Sequence, residues 1–134
     1  MSRSTYLPFV CLLAIMIGCT APSDRGELEG VWEMVSGTYT DADTTVVLEI
    51  PQIKVLTKAH FAFGRMNPDG AFAGGGTYTF DGTTYTEIVD YHSDPAANDT
   101  TLIFSAHVEG DSVWHHEGTI GPNFHLQETW RRVE

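Results

Sequence analysis

Residues 77–91 read TYTFDGTTYTEIVDY, and this stretch decides the fold. Threonine alternates with aromatic and apolar residues on both sides of Asp81-Gly82, and β-branched or aromatic residues at a period of two are typical of strands. Asp-Gly is a dipeptide that supplies the positive φ angles of a tight hairpin turn. The stretch therefore predicts an antiparallel hairpin with strands over residues 77–80 and 84–91.

The same pattern continues outward along the chain. Residues 109–111 (EGD) predict a second hairpin turn, and Pro51 breaks or bulges the strand that it follows. The other predicted strands span residues 32–39, 44–50, 53–56, 60–65, 102–108, 113–119 and 124–133. Eight or nine short strands joined by neighbouring turns make a meander, and closure into a barrel leaves such a meander without exposed edges. The sequence predicts an all-β fold.

The N-terminal residues follow the pattern of an export signal, with a basic residue, an apolar run and then a small residue. Arg3 precedes an apolar run from about Tyr6 to Ile17, and the small residue Gly18 follows it. The run is shorter than the roughly 20 residues that span a bilayer. Residues 16–19 (MIGC) resemble the lipobox of bacterial lipoproteins, with Met16 where that pattern more often has Leu. The resemblance implies cleavage before Cys19 and lipidation of this cysteine. The alternative is an ordinary signal peptide with an incidental cysteine.

These features divide the chain into a lipoprotein signal peptide (residues 1–18), a lipidated tether (19–27) and a barrel domain (28–134). The tether is polar and has no periodicity. Of the two cysteines, only Cys19 would remain after cleavage, so the exported domain is expected to have no internal disulfide. The residue after Cys19 is Thr20. An Asp at this position would favour retention in the inner membrane, so Thr20 resembles the lipoproteins that are delivered to the Gram-negative outer membrane. We expect the protein in the bacterial cell envelope.

Composition narrows the classes of partner and cofactor. Seven basic residues stand against 18 acidic ones, and the formal net charge is −11. Without a basic run, nucleic-acid binding is not expected, and attachment to a membrane is expected through the acyl chains on Cys19. Residues 74–76 (GGG) lack the Lys-Ser/Thr of a phosphate loop, and they predict instead a bend or a close approach of a neighbouring strand. No cofactor is expected.

Several segments resemble the lipocalin and calycin barrels. Residues 30–32 (GVW) look like the Gly-x-Trp that begins the first strand of those barrels, and residues 130–132 (WRR) end the last strand, where those barrels place an arginine against that tryptophan. A narrower likeness, to small bacterial lipocalin-like lipoprotein domains of uncharacterised function, is carried by residues 52–57, 60–61, 74–78, 85–87 and 128–130. The resemblance implies one antiparallel up-and-down barrel that binds apolar ligands in its interior.

Alternation places two acids on strand faces that are otherwise apolar. Glu87 shares a face with Tyr85 and Tyr91, and Glu128 lies with apolar residues of the closing strand, so both of these faces are predicted to point into the barrel. A buried carboxylate must be paired, hydrogen-bonded or protonated. In one interpretation burial raises a carboxyl pKa and creates a proton donor or acceptor for a ligand. In the other, each acid accepts hydrogen bonds from a tyrosine, Lys54 or an arginine and holds the strands in register.

The leading hypothesis is a binding protein for a small, largely apolar ligand. A second is an isomerase- or cyclase-like enzyme that uses Glu87 with His60 or Tyr85 for proton transfer, and a third is a structural envelope protein that binds a partner through its exterior. The position of Trp114 is open: a two-residue turn pairs it with His107, and a three-residue turn puts it beside Ala106. The candidate ligand-binding residues are His60, Tyr78, Tyr85, Glu87, Trp114 and Glu128.

The six histidines do not form a compact metal-binding motif. His115 and His116 are adjacent, so they face opposite sides of a strand and cannot easily share one ion. The other four, His60, His92, His107 and His125, fall on separate predicted strands or strand ends without ligand spacing. The sequence therefore predicts no metal site, and the alternative is a zinc site assembled from histidines on different strands.

Overall fold

The computed structural model describes residues 26–134, so the predictions for the signal peptide and for Cys19 lie outside the described residues. The strands are β1 (Gly30–Asp41), β2 (Thr44–Leu48), β3 (Ile53–Leu56), β4 (His60–Asn67), β5 (Gly70–Phe80), β6 (Thr84–His92), β7 (Thr100–Glu109), β8 (Val113–Ile120) and β9 (Phe124–Arg132). A 3₁₀ helix, Pro95–Ala97, connects β6 to β7. Within residues 26–134, no helix has the length and apolar character that a membrane crossing requires.

Eight of these strands close into an antiparallel barrel, as predicted. From β3 to β9 each strand pairs with the next, and β9 pairs back with β1. The first residues of β1 pair with β3, whereas residues 37–41 pair with β2. β2 is thus an extra strand beside the barrel. It ends at Leu48, and β3 begins at Ile53, so the strand structure is interrupted around Pro51. The predicted interruption at this proline is confirmed, because proline cannot donate a ladder hydrogen bond.

The two predicted hairpin turns are present. Asp81 Oδ1 accepts hydrogen bonds from the backbone N–H groups of Thr83 (2.9 Å) and Thr84 (2.7 Å), and these bonds lower the pKa of the Asp81 carboxyl. The second turn has three residues between Glu109 and Val113. It pairs Trp114 with Val108, which is neither of the two partners expected from the sequence.

A bulge interrupts the β5–β6 ladder at the glycine run. Gly75 pairs with Tyr91 and Gly76 with Val89, so Asp90 has no partner in this ladder. A Cβ atom on Gly76 would lie 2.0 Å from the carbonyl oxygen of Ile88, which confirms the predicted close approach. The extra residue reverses the alternation that follows it. The prediction that Tyr91 faces inward is therefore wrong, since its side chain is 56% exposed.

One end of the barrel is filled by large aromatic side chains. Trp32, Trp114 and Trp130 have no exposed surface. The guanidinium carbon of Arg132 lies 4.1 Å from the centre of the Trp32 ring, the arrangement that the lipocalin resemblance implied. Arg131 points outward and pairs with Glu33 at 2.7 Å. This end of the barrel, hereafter the closed end, is packed core.

Candidate ligand-binding cavity

The opposite end of the barrel, hereafter the open end, encloses a cavity of about 540 Å³. This volume lies within the roughly 300–1,000 Å³ of typical small-molecule sites. Most of the lining comes from the 3₁₀ helix and from the strand ends that lie away from Trp32. The lining residues are Tyr39, Leu48, Gln52, Lys54, Phe63, Arg65, Phe72, Glu87, Val89, His92, Asp94, Ala96, Ala97, Thr100, Leu102, Phe104, Ile120, Phe124, Leu126 and Glu128.

A buried ion pair lies in the lining. Lys54 Nζ donates to Glu87 Oε1 at 2.8 Å, and both side chains are 5% exposed. The Tyr85 hydroxyl donates to the same oxygen at 2.8 Å. Burial, followed by the Glu87 charge, raises the pKa of Tyr85 well above its usual value, so this phenol stays a donor. Glu87 thus accepts the tyrosine and lysine hydrogen bonds that the second sequence interpretation predicted.

The lysine of this pair sits among aromatic rings. Its Nζ atom lies between 5.1 and 5.9 Å from five ring centres, and these distances are within the range of cation–π attraction. The rings belong to Phe61, Phe63, Tyr85, Trp114 and Trp130. These rings partly replace the water that a buried ammonium loses. Because Lys54 contacts Trp114 and Trp130 on one side and lines the cavity on the other, the Lys54–Glu87 pair separates the packed closed end from the cavity.

The second interior acid, Glu128, is held by three donors. His116 Nε2 lies 2.6 Å from Oε2, the Tyr39 hydroxyl donates to Oε1 at 2.6 Å, and the Trp130 indole donates to Oε2 at 3.1 Å. Burial alone would raise the pKa of Glu128, but His116, the charge of Lys54 and the Tyr39 hydroxyl together lower it to about 2. The interpretation of Glu128 as a carboxyl with a raised pKa is therefore wrong.

Arg65 brings a positive charge to the mouth of the cavity. Its NH1 atom donates to Gln52 Oε1 at 2.9 Å, and its guanidinium carbon lies 4.2 Å from the centre of the Phe72 ring. The same phenylalanine makes an edge contact with His92 at 4.9 Å. His92 faces inward because the bulge at Asp90 shifts the alternation of β6. The mouth thus combines aromatic surface with a fixed cation.

The structure brings only two of the predicted site residues into the cavity lining. Glu87 and Glu128 face inward as predicted, and their part in ligand binding stays a prediction. Four others need correction because they do not line the cavity: Tyr85 and Trp114 are buried in the aromatic core, Tyr78 donates to the Thr57 carbonyl, and His60 is exposed at the start of β4.

Sequence reasoning missed His116 and Arg65 as site residues and treated Lys54 only as a partner of the acids. Alternation along β8 could have found His116, because it shares a face with Trp114. For Lys54 the local signal points the wrong way: its apolar neighbours Ile53 and Val55 are the exposed residues of β3. Only the tertiary ion pair with Glu87 explains an inward lysine.

The comparisons with known proteins agree with this architecture. The family model described as "Domain of unknown function (DUF4488)" matches residues 27–134. No curated protein matches the chain. Solved structures show that the fold is that of a lipocalin-like barrel.

A lipocalin-like protein from Bacteroides uniformis is similar, with a TM-score of 0.53 and 18% identity over 81% of this chain and 100% of that one. An uncharacterized protein from Bacteroides eggerthii gives a TM-score of 0.52 and 14% identity over 78% and 98% of the two chains. A redesigned β-barrel gives a TM-score of 0.53 and 15% identity over 81% of this chain and 93% of that one. At these identities the likeness is one of fold.

Proposed function

We propose that this chain, which belongs to the family described as "Domain of unknown function (DUF4488)", binds a small, largely apolar molecule inside its barrel. The observation that carries the proposal is the cavity of about 540 Å³ at the open end. An eight-stranded barrel can fill its interior with side chains or leave room for one small ligand. Here the closed end follows the first solution, and the open end follows the second.

The lining indicates what such a ligand looks like. Apolar side chains such as Leu102, Ile120 and Leu126 offer surface for an apolar body. Both hydrogen bonds to Glu87 end on Oε1, and within residues 26–134 its Oε2 atom has no hydrogen-bond partner. This oxygen is an acceptor for an N–H or O–H group of the ligand. A few convergent polar groups in an apolar pocket are typical of small-molecule sites.

A fluorescent probe tests the proposal. N-phenyl-1-naphthylamine, a neutral apolar dye, should bind the purified chain with increased emission. Leu102→Trp places an indole inside the cavity and should weaken binding at least about 10-fold. Ile103→Trp is the matched control on the outer face of the same strand, where Ile103 is 62% exposed, and it should bind like the parent. Equal affinities for the two folded variants would overturn the proposal.

Native mass spectrometry of the protein from its own host would identify the class of the ligand. The expected result is a co-purifying small molecule whose amount falls in Leu102→Trp and stays unchanged in Ile103→Trp. The physical reason is that an indole at residue 102 occupies space that the ligand needs, whereas an indole at residue 103 lies outside the barrel.

We propose further that Cys19 carries the lipid that attaches the protein to the bacterial envelope, the outer membrane in a Gram-negative cell. Residues 16–19 (MIGC) and the polar residues after them support this proposal. Labelled palmitate should enter the wild-type protein and the Cys11→Ser control, and Cys19→Ser should abolish the label. Cell fractionation should find the labelled form with the outer membrane. Label that persists in Cys19→Ser would overturn the proposal.

A further inference from the structure

The outer face of the β7–β8 hairpin carries a cluster of metal-ligating side chains, separate from the cavity. His107 on β7 pairs directly with His115 on β8 across the ladder. Glu109 lies two residues after His107 and therefore on the same face of the sheet. The sequence could not select these residues, because the three come together only through the register of the hairpin. The cluster of His107, Glu109 and His115 is hereafter the outer cluster.

The distances between the ligand atoms of the outer cluster are close to those around a bound metal ion. Glu109 Oε1 lies 3.6 Å from His107 Nε2 and 3.8 Å from His115 Nε2. One ligand atom from each of the three residues lies within 4.8 Å of the others. Around a tetrahedral Zn²⁺ ion with bonds of about 2.0–2.1 Å, ligand atoms are about 3.4 Å apart. Small rotations of partly exposed side chains are enough to reach this spacing.

The surrounding residues already orient the outer cluster. The two imidazole rings are stacked with centres 4.7 Å apart and planes inclined by 21°. His115 Nδ1 lies 3.1 Å from Thr129 Oγ1, so its Nε2 atom is the nitrogen directed at Glu109. A hydrogen bond to the second imidazole nitrogen is the usual way in which proteins orient a histidine that binds a metal.

Charge and accessibility also favour a cation here. The chain has a formal net charge of −11, and the side chains of His107 and Glu109 are 63% and 65% exposed. The outer cluster forms part of a polar concavity of about 430 Å³ that also includes Glu117. Solvent can therefore reach the site and supply a fourth ligand.

We propose that the outer cluster binds one divalent transition-metal ion of the Zn²⁺ class through the two histidines and Glu109. Imidazole with one carboxylate suits Zn²⁺, Ni²⁺ or Cu²⁺ and not Mg²⁺ or Ca²⁺, which prefer oxygen ligands alone. Two histidines and a glutamate leave one coordination position open to water, as in three-ligand zinc sites. An ion there also links β7 to β8 next to their turn.

Competition titration of the full-length chain with Zn²⁺ and a chromophoric chelator tests the proposal. His107→Gln and His115→Gln should each weaken Zn²⁺ binding at least about 10-fold, and Thr129→Val should weaken it about 10-fold, since loss of an orienting partner alone costs about 10–100-fold. Because Cys11 and Cys19 are present in every variant, differences between variants report the outer cluster.

His125 provides a matched control. Its Nδ1 atom lies 3.2 Å from Thr119 Oγ1, as His115 lies near Thr129, but His125 is not part of the outer cluster. His125→Gln should bind Zn²⁺ like the parent. Ring ¹⁵N NMR should show coordination through Nε2 of His115. Equal Zn²⁺ affinity for His115→Gln and the parent, or equal weakening in His125→Gln and His115→Gln, would overturn the proposal.

Discussion

The two ends of the barrel are built from the same alternating strands but are filled differently. At the closed end, Trp32, Trp114 and Trp130 are fully buried and leave no room for a ligand. At the open end, branched and aromatic side chains surround about 540 Å³ of space. Alternation determines which side chains face inward, whereas their volumes and the spacing of the strands determine whether the interior is core or cavity. The buried ion pair of Lys54 and Glu87 lies at the boundary.

Trp32→Ala should have the largest effect, because it breaks the closed end. The side chain is fully buried, and its indole N–H donates to the Leu28 carbonyl at 2.8 Å. Truncation of a buried tryptophan costs about 3–5 kcal/mol of the free energy of unfolding. Chemical denaturation measures this loss. A variant as stable as the parent would contradict the assignment of the closed end as the stabilising core.

The Glu128 network predicts a loss of stability in acid. The Glu128 pKa is about 2 in the folded protein, against an ordinary value of 4.5, so the unfolded chain takes up the proton first as the pH falls. The stabilisation, on the order of 3 kcal/mol, is complete above about pH 5 and is lost towards pH 2. Parent and Glu128→Gln should therefore differ in unfolding free energy at pH 7 and converge near pH 2. A difference that stays constant over this range would contradict the prediction.

Glu87→Gln tests the boundary between the two ends. The amide keeps a hydrogen-bond acceptor but removes the anion that pairs directly with Lys54, so that only the charge of Glu128 still acts on this buried ammonium. We therefore expect a loss of about 2–3 kcal/mol in the free energy of unfolding. Adding Lys54→Met should recover most of this loss, because an apolar side chain removes the uncompensated charge. A double-mutant cycle by urea denaturation measures the coupling. Losses that simply add would show that the two side chains do not act as a pair.

Phe124→Ala should have the smallest effect, because it lies at the open end. Its ring is 36% exposed, and it stacks on Tyr39 with ring centres 5.7 Å apart. One side of the ring lines the cavity, so its removal enlarges an existing space and creates no new void in packed core. We expect a loss of about 1 kcal/mol in the free energy of unfolding. A loss as large as that of Trp32→Ala would show that the two ends are equally packed.

Much of the fold could be predicted because its signals are local. The Asp81-Gly82 turn, the interruption at Pro51 and the alternation of the strands each depend on a few neighbouring residues. The inward position of Glu87 followed from the same alternation. The prediction for Tyr91 was wrong because a single unpaired residue, Asp90, reverses the faces of the strand beyond it. No local pattern in β6 marks this bulge, which arises where Gly76 lets the two backbones approach closely.

Most of the candidate site could not be predicted, because it depends on pairs across strands. His116 and Glu128 are direct partners in the β8–β9 ladder, and this relation exists only once the register of that hairpin is known. The sequence named Lys54 as one of several possible partners of the two acids, but only the structure pairs it with Glu87, because their strands are not neighbours in the sheet. In both pairs the interior carboxylate accepts hydrogen bonds from neighbouring side chains, and it is held in the barrel wall by them.

The sequence by itself determined that this chain forms an antiparallel barrel and that two acids face its interior. Alternation and turn chemistry are properties of neighbouring residues, so they are readable along the chain. Only the tertiary structure decided that the closed end is filled, that the open end holds a cavity and that His107 meets His115 on the outer face. Strand register, bulges and packed volume depend on contacts between distant residues, and those contacts form only when the barrel closes.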